Sequence, residues 1–179
     1  AYIEDMKKTG QTMYRLSIAW PRIIPTGFGE VNQKGIDFYN RVFDKMKECG
    51  IEPFVDLLHW DLPQCLQDLD GLCNEKFPEW FEAYAKVCFE AFGDRVKYWS
   101  TFNETCNSAM MAYRSGRFAP FEKDFKKALI ASHNVNLAHF RAVRLYHSMN
   151  LGGMIGVVNA EEPSIPDQMT KEDIGAAER

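Results

Sequence analysis

Four apolar runs, each followed by a loop and a helical pattern, constrain this chain more than any other feature. They end near residues 20, 59, 103 and 159, at spacings of 39, 44 and 56 residues. An antiparallel hairpin needs only a short turn, whereas these intervals hold a loop and a helix. Successive strands must therefore run parallel, with right-handed crossovers. The expected fold class is α/β, built from about four consecutive β/α units, and residues 1–179 read as a single segment without linker or low-complexity stretch.

The first run, Met13 to Trp20, alternates Tyr14, Leu16 and Ile18 with Arg15 and Ser17, which puts an arginine on one face of a strand. Pro21, Pro25, Gly27 and Gly29 then make a loop. Ile36, Tyr39, Phe43 and Met46 repeat at helical spacing until Gly50. Pro53 to His59 is a second strand, and Pro78 opens a helix with Phe81, Tyr84, Ala85, Cys88 and Phe92 as its stripe. Val96 to Asn103 is the third strand. A long loop, Thr105 to Phe121, leads to a helix over 123–149, for which Phe125, Leu129, Leu137, Phe140 and Val143 are the expected buried stripe. Met154 to Asn159 is the fourth strand, and Pro163 and Pro166 fall in the loop after it. The opening residues read as the last turns of a helix, and Thr170-Lys-Glu-Asp173 as a capping box near the end. A segment incomplete at both ends is expected.

Composition narrows the function. Hydrophobic residues make up 46%, ample for a core. The 21 basic and 25 acidic residues leave a charge of −4, and no basic run interleaves with aromatics, so nucleic acid is an unexpected partner. No apolar run is long enough for a bilayer, and no membrane association is expected. Cysteines 49, 65, 73, 88 and 106 form no CxxC pair; Cys49 and Cys88 fall in helical patterns as small core hydrophobes, which fits a reducing compartment. Asn103-Glu-Thr105 is the one Asn-X-Ser/Thr sequon, and a glycan there would sit on the candidate site; together these tilt the expected localisation towards an intracellular one.

Several familiar motifs fail. Gly27-Phe-Gly29-Glu-Val-Asn32 lacks the third glycine of a phosphate loop. His133, His139 and His147 share a helix without the i, i+4 spacing of metal ligands, so no metal and no cofactor is called for. What remains is a rim of polar residues at strand ends: Arg15, His59 with Trp60 and Asp61, Asn103 with Glu104, and Asn159. In a parallel α/β sheet the reacting groups gather at those ends. Glu104 is the candidate catalytic acid, against the plainer reading of a solvated glutamate at a strand-to-loop junction. Trp60 beside hydrogen-bonding groups suits a sugar, whose C–H face stacks while its hydroxyls bond.

Five blocks carry a wider likeness: Tyr14-Arg-Leu-Ser-Ile-Ala-Trp20-Pro-Arg-Ile-Ile-Pro25, Val31-Asn-Gln-Lys-Gly-Ile-Asp37, Gly50-Ile-Glu-Pro-Phe-Val55, Leu58-His-Trp-Asp-Leu-Pro-Gln64, and Phe92-Gly-Asp-Arg-Val-Lys-Tyr-Trp99-Ser-Thr-Phe-Asn-Glu104. In this order they resemble the family 1 glycoside hydrolases. The resemblance implies part of a (β/α)₈ TIM barrel, similar to its strands two to five, and a β-glucosidase-like retaining hydrolase of β-glycosides. Glu104 then matches the general acid/base, Asn103 the residue holding the sugar 2-hydroxyl, and His59 a hydrogen-bonding residue of the same subsite. Arg15 resembles the arginine near the nucleophile, and Trp60 a wall of the pocket. A second carboxylate, about 5–5.5 Å away, attacks the anomeric carbon while Glu104, protonated at the start, supplies the leaving oxygen with a proton.

The nucleophile's Thr-Glu-Asn-Gly block is absent from these residues, as are the residues that read the sugar's 4- and 6-positions. The implied partners are the substrate and the remainder of the barrel, without which this segment is expected to be inactive and to leave Leu16, Ile18, Phe54, Val55, Tyr98 and Val157 partly uncovered. The family usually has proline where Thr105 stands, and Gly-Gly-Trp near Gly71-Leu-Cys73. A non-catalytic sugar- or protein-binding relative is the alternative; an unrelated doubly wound α/β domain is a more distant one.

Overall fold

The computed structural model of the protein describes residues 2–161 and 164–177. Pro163 lies outside them. A helix α1 (Tyr2–Lys8) precedes strand β1 (Met13–Ser17), a single helical turn α2 (Trp20–Ile23) and helix α3 (Gln33–Glu48). Strand β2 (Glu52–Leu58) is followed by a short α4 (Gln64–Gln67), a 3₁₀ turn at Gly71–Cys73 and helix α5 (Phe77–Phe92). Strand β3 (Tyr98–Asn103) runs into α6 (Thr105–Ala109) and a π-helical turn (Met110–Arg114), then α7 (Phe125–Ser148), β4 (Met154–Val158) and α8 (Lys171–Ala177).

The strands form one sheet in the order β1-β2-β3-β4, every pair parallel, as the spacing of the apolar runs requires. Leu16, Val55, Trp99 and Ile155 align across it, and so do Arg15, Phe54, Tyr98 and Met154. Because side chains alternate along a strand, these two rows face opposite ways. The first row faces the helices. Trp99 meets Phe89 of α5 edge-on at 5.1 Å, and Phe89 in turn meets Tyr146 of α7.

Aromatic packing joins the layers. Trp20 stacks on Tyr84 at 4.5 Å and 5°, Phe81 stacks on Phe102 at 4.3 Å, and all four are buried. The Tyr84 hydroxyl donates to the carbonyls of Leu57 and, at longer range, Ile18, so one α5 side chain ties two adjacent chain segments. Full burial pushes that phenol well above its ordinary pKa. Gly35 lets α3 lie against α2, since a β-carbon there would meet the Arg22 carbonyl oxygen at 1.9 Å. Gly50, at φ 71°, ends α3 as expected.

Three expectations need correction. The first run leaves the sheet after Ser17, because Trp20 begins a helical turn with Pro21 in its first positions, where a missing N–H costs nothing. Ile18 and Val55 are fully buried rather than partly uncovered. Their side of the chain is closed by helices already present. The stripe assigned to α7 is turned away from the core: Phe125, Leu129, Leu137 and Phe140 are exposed, while Ala128, Ala131, Val135, Ala138, Ala142 and Tyr146 are buried. Small residues let α7 approach α5 closely, and Arg141 reaches across to Glu79 and Glu82 at 3.8 Å.

The first described residues are helical, and Asp173 N–H donates to the Thr170 hydroxyl, capping α8. All five cysteines are free, with Cys49 and Cys88 buried. Among the described residues, no helix is long and apolar enough to cross a membrane.

Candidate active site

Parallel strands bring their carboxyl ends to one edge of the sheet, and the candidate residues collect there. The last residues of β3 depart from regular pairing with β4 between Ser100 and Asn103. Thr101 turns towards α7, its hydroxyl 2.7 Å from His139 Nδ1. Asn103, two residues on, instead bonds Arg15, which belongs to the row away from the helices. Strict alternation would put both on one side. The irregularity therefore aims Asn103 at the face where Arg15 lies.

Glu104 follows at φ 51°, ψ 67°, the left-handed region that a residue with a β-carbon enters at a cost of about 1–3 kcal/mol. Its N–H donates to the Val158 carbonyl at 2.7 Å, and its own carbonyl accepts from the Ser108 N–H and hydroxyl, both at 2.9 Å. The backbone is thus held from both sides. Its carboxylate Oε2 accepts from Asn107 Nδ2 at 3.0 Å, a contact across one turn of α6. Trp60, also left-handed at φ 72°, donates from Nε1 to the Asn103 carbonyl at 2.9 Å and keeps 42% of its surface exposed. His59 stands edge-on to that indole at 5.1 Å.

Arg15 and Asp56 anchor the cluster. Arg15 Nε donates to Asp56 Oδ1 at 3.1 Å, and Nη2 lies 2.7 Å from Asp56 Oδ2 and 2.7 Å from Asn103 Oδ1. His59 Nδ1 is 3.5 Å from the same Oδ2. The structure thus joins Arg15, His59 and Asn103 around one carboxylate, with Glu104 and Trp60 attached through the Asn103 backbone. Asp61, next along, has its carboxyl raised by burial, against its backbone hydrogen bonds. Histidines 133, 139 and 147 all lie on α7, and burial lowers the pKa of His139.

Two depressions border this edge. An open one of about 570 Å³ is lined by Arg15, Ser17, Asp56 and His59. An apolar cavity of about 320 Å³ is lined by Trp60, Leu72, Phe102, Ala112, Tyr113 and Phe118. The apolar one is better enclosed, yet the charged groups converge on the open one, where a polar ligand would find its partners.

Asp56, Asn107 and the helical start of 105–121 escaped the sequence reading. A charge inside the apolar run Phe54-Val-Asp-Leu-Leu58 was the available signal for Asp56. The segment 105–121 is not a plain loop: it begins with α6 and the π-helical turn, both too short to show a periodic stripe.

A parallel β/α sheet that carries a carboxylic acid, an amide, an imidazole and an arginine at its carboxyl edge has these groups at the edge where β/α barrels build their sites. The chain belongs to glycosyl hydrolase family 1, whose model matches residues 2–179. It is 46% identical over 174 residues to Beta-glucosidase A of Thermotoga maritima, covering 97% of this chain and 39% of that protein. It is 48% identical over 181 residues to a 6-phospho-beta-galactosidase of Clostridium acetobutylicum, covering 98% of this chain and 38% of that one. The structure of Beta-glucosidase from Thermotoga maritima in complex with glucoimidazole superposes with a TM-score of 0.95 at 45% identity, over 98% of this chain and 40% of that one. The chain thus spans about two fifths of the length of the relatives it matches, and its four β/α units are part of a (β/α)₈ barrel.

Both departures from the family pattern have a local reading. The Thr105 hydroxyl donates to Asn159 Oδ1 at 3.3 Å, linking the ends of β3 and β4 through a side chain that proline does not have. Leu72, close to where the family usually has Gly-Gly-Trp, lines the apolar cavity, and its side chain is smaller than an indole.

Proposed function

We propose that this chain supplies the acid/base part of a retaining β-glycosidase. Glu104 protonates the leaving glycosidic oxygen as a carboxylate from outside these residues attacks the anomeric carbon. It then takes a proton from the water that releases the sugar. Asn103 and His59 hold the sugar's hydroxyls, Trp60 walls its ring, and Arg15 lies towards the nucleophile. Residues 1–179 by themselves are expected not to turn over glycosides, because the nucleophile's Thr-Glu-Asn-Gly block is absent from them.

The observation that carries this reading is Glu104 itself. It is held in a left-handed conformation by hydrogen bonds from both flanks, at the end of a strand whose irregularity brings Asn103 to Arg15. Strain maintained by its surroundings is typical of functional positions. The substrate class is β-glycosides, the class on which its relatives agree, a beta-glucosidase and a 6-phospho-beta-galactosidase among them. Asn103 is buried, so an unglycosylated Asn103 belongs to the same reading, and the five free cysteines support an intracellular setting as part of the proposal.

In the intact enzyme, Glu104→Gln keeps the shape and removes the titrating proton. Hydrolysis of alkyl β-glucosides should fall far more than that of activated nitrophenyl β-glucosides, because only the former need protonation. Equal losses on both would sink the assignment.

A further inference from the structure

Asp56 lies in the middle of β2, with its side chain 2% exposed. A carboxylate so placed needs strong partners. Arg15 provides them side-on, through Nε to Oδ1 and Nη2 to Oδ2. The same Nη2 donates to Asn103 Oδ1 at 2.7 Å. A guanidinium has only donors, so the Asn103 amide must turn its oxygen towards Arg15 and its Nδ2 hydrogens elsewhere. Among the described residues, Nδ2 meets no acceptor. His59 Nδ1 stands 3.5 Å from Asp56 Oδ2, within ion-pair range but without a hydrogen bond.

We propose that Asp56 is the positioning residue of this site: through Arg15 it fixes which way the Asn103 amide faces. A ligand then meets an N–H donor from Asn103, which complements the oxygen of a hydroxyl group. Asp56 touches no substrate itself; it acts as the outer partner that orients groups that do. The inference rests on the β-glycosidase reading above.

The test is Asp56→Asn in the intact enzyme, assayed on a nitrophenyl β-glucoside and on its 2-deoxy counterpart, which lacks the hydroxyl assigned to Asn103. We expect kcat/KM on the glucoside to fall about tenfold to a hundredfold, and on the 2-deoxy substrate by less than about threefold. Adding Asn103→Ala to Asp56→Asn should then cost little more. Arg15→Lys is the second variant, in case Asp56→Asn does not fold. An ammonium keeps the charge but lacks the fork, so the same pattern is expected. Equal losses on both substrates, or fully additive effects with Asn103→Ala, would overturn the positioning role in favour of plain charge compensation.

If the wild-type enzyme hydrolyses neither substrate, the β-glycosidase reading fails and the inference is judged by side-chain NMR. The Arg15 Nε–H signal, bonded to Asp56 Oδ1 in the wild type, should exchange faster with water in Asp56→Asn, and the Asn103 Nδ2 shifts should move with it. Unchanged signals would overturn it.

Discussion

Val55 and Asp56 are neighbours on β2, both with under 2% of their surface exposed, yet they are buried by different physics. Val55 lies in the row that faces the helices, where apolar and aromatic side chains fill the space. Asp56 faces the other way and is covered by an ion pair with Arg15, from a strand 41 residues earlier. The comparison separates what makes this chain fold from what it does. One side of the sheet is dispersion and area, tolerant in identity but costly to empty. The other is a short list of charged partners, in which each group's orientation depends on the next.

The largest effect should come from emptying the helix side. Phe81 is fully buried and touches Trp20, Phe77, Tyr84 and Phe102 within one aromatic cluster. Phe81→Ala should cost about 3–5 kcal/mol, the range for large-to-small changes that leave a cavity. Urea unfolding monitored by tryptophan fluorescence would measure it. A cost below about 1 kcal/mol would mean that the cluster does not act as the core.

A smaller loss is expected on the polar side. Arg15→Leu would strand the buried Asp56 carboxylate, and breaking a buried pair costs about 3–5 kcal/mol. Because the Arg15 side chain is 36% exposed, water can enter where it leaves, and about 2–3 kcal/mol is the expected loss. Removing both charges separates the causes: Arg15→Leu combined with Asp56→Leu should recover much of the loss in the same denaturation experiment, whereas no recovery would show that Arg15 stabilises through its packing over Phe54 instead.

This contrast also explains what the sequence disclosed. Parallel order and strand positions were legible, because apolar runs such as Phe54 to Leu58 and Tyr98 to Phe102 recur at β/α spacing. The polar rim was legible in part: Arg15, His59, Asn103 and Glu104 stand out at the ends of those runs. Asp56 was not, since its meaning comes from Arg15, 41 residues before it on β1, which in turn donates to Asn103 on β3. The left-handed turns at Trp60 and Glu104 carry no glycine to announce them. Nor does composition reveal the irregularity in β3 that turns Asn103.

The plainest misreading, on α7, yields the smallest predicted effect. Phe125, Leu129, Leu137 and Phe140 recur at helical spacing and are the bulkiest apolar residues of the helix, so hydrophobicity alone selects them as the buried face. The structure selects by fit instead. The space beside α5 is filled by Ala128, Ala131, Val135, Ala138 and Ala142, and the bulky stripe is left outside, with Phe140 66% exposed. Phe140→Ser should therefore change the unfolding free energy of residues 1–179 by no more than about 0.5 kcal/mol, as for a typical surface site. Ala138→Leu, adding volume where α7 meets α5, should cost about 1–3 kcal/mol. Chemical denaturation of the two variants in parallel decides between the faces. If Phe140→Ser proved the more damaging, the hydrophobic stripe would be the packed side of α7 after all, and the close approach of α7 to α5 through alanines would be wrong.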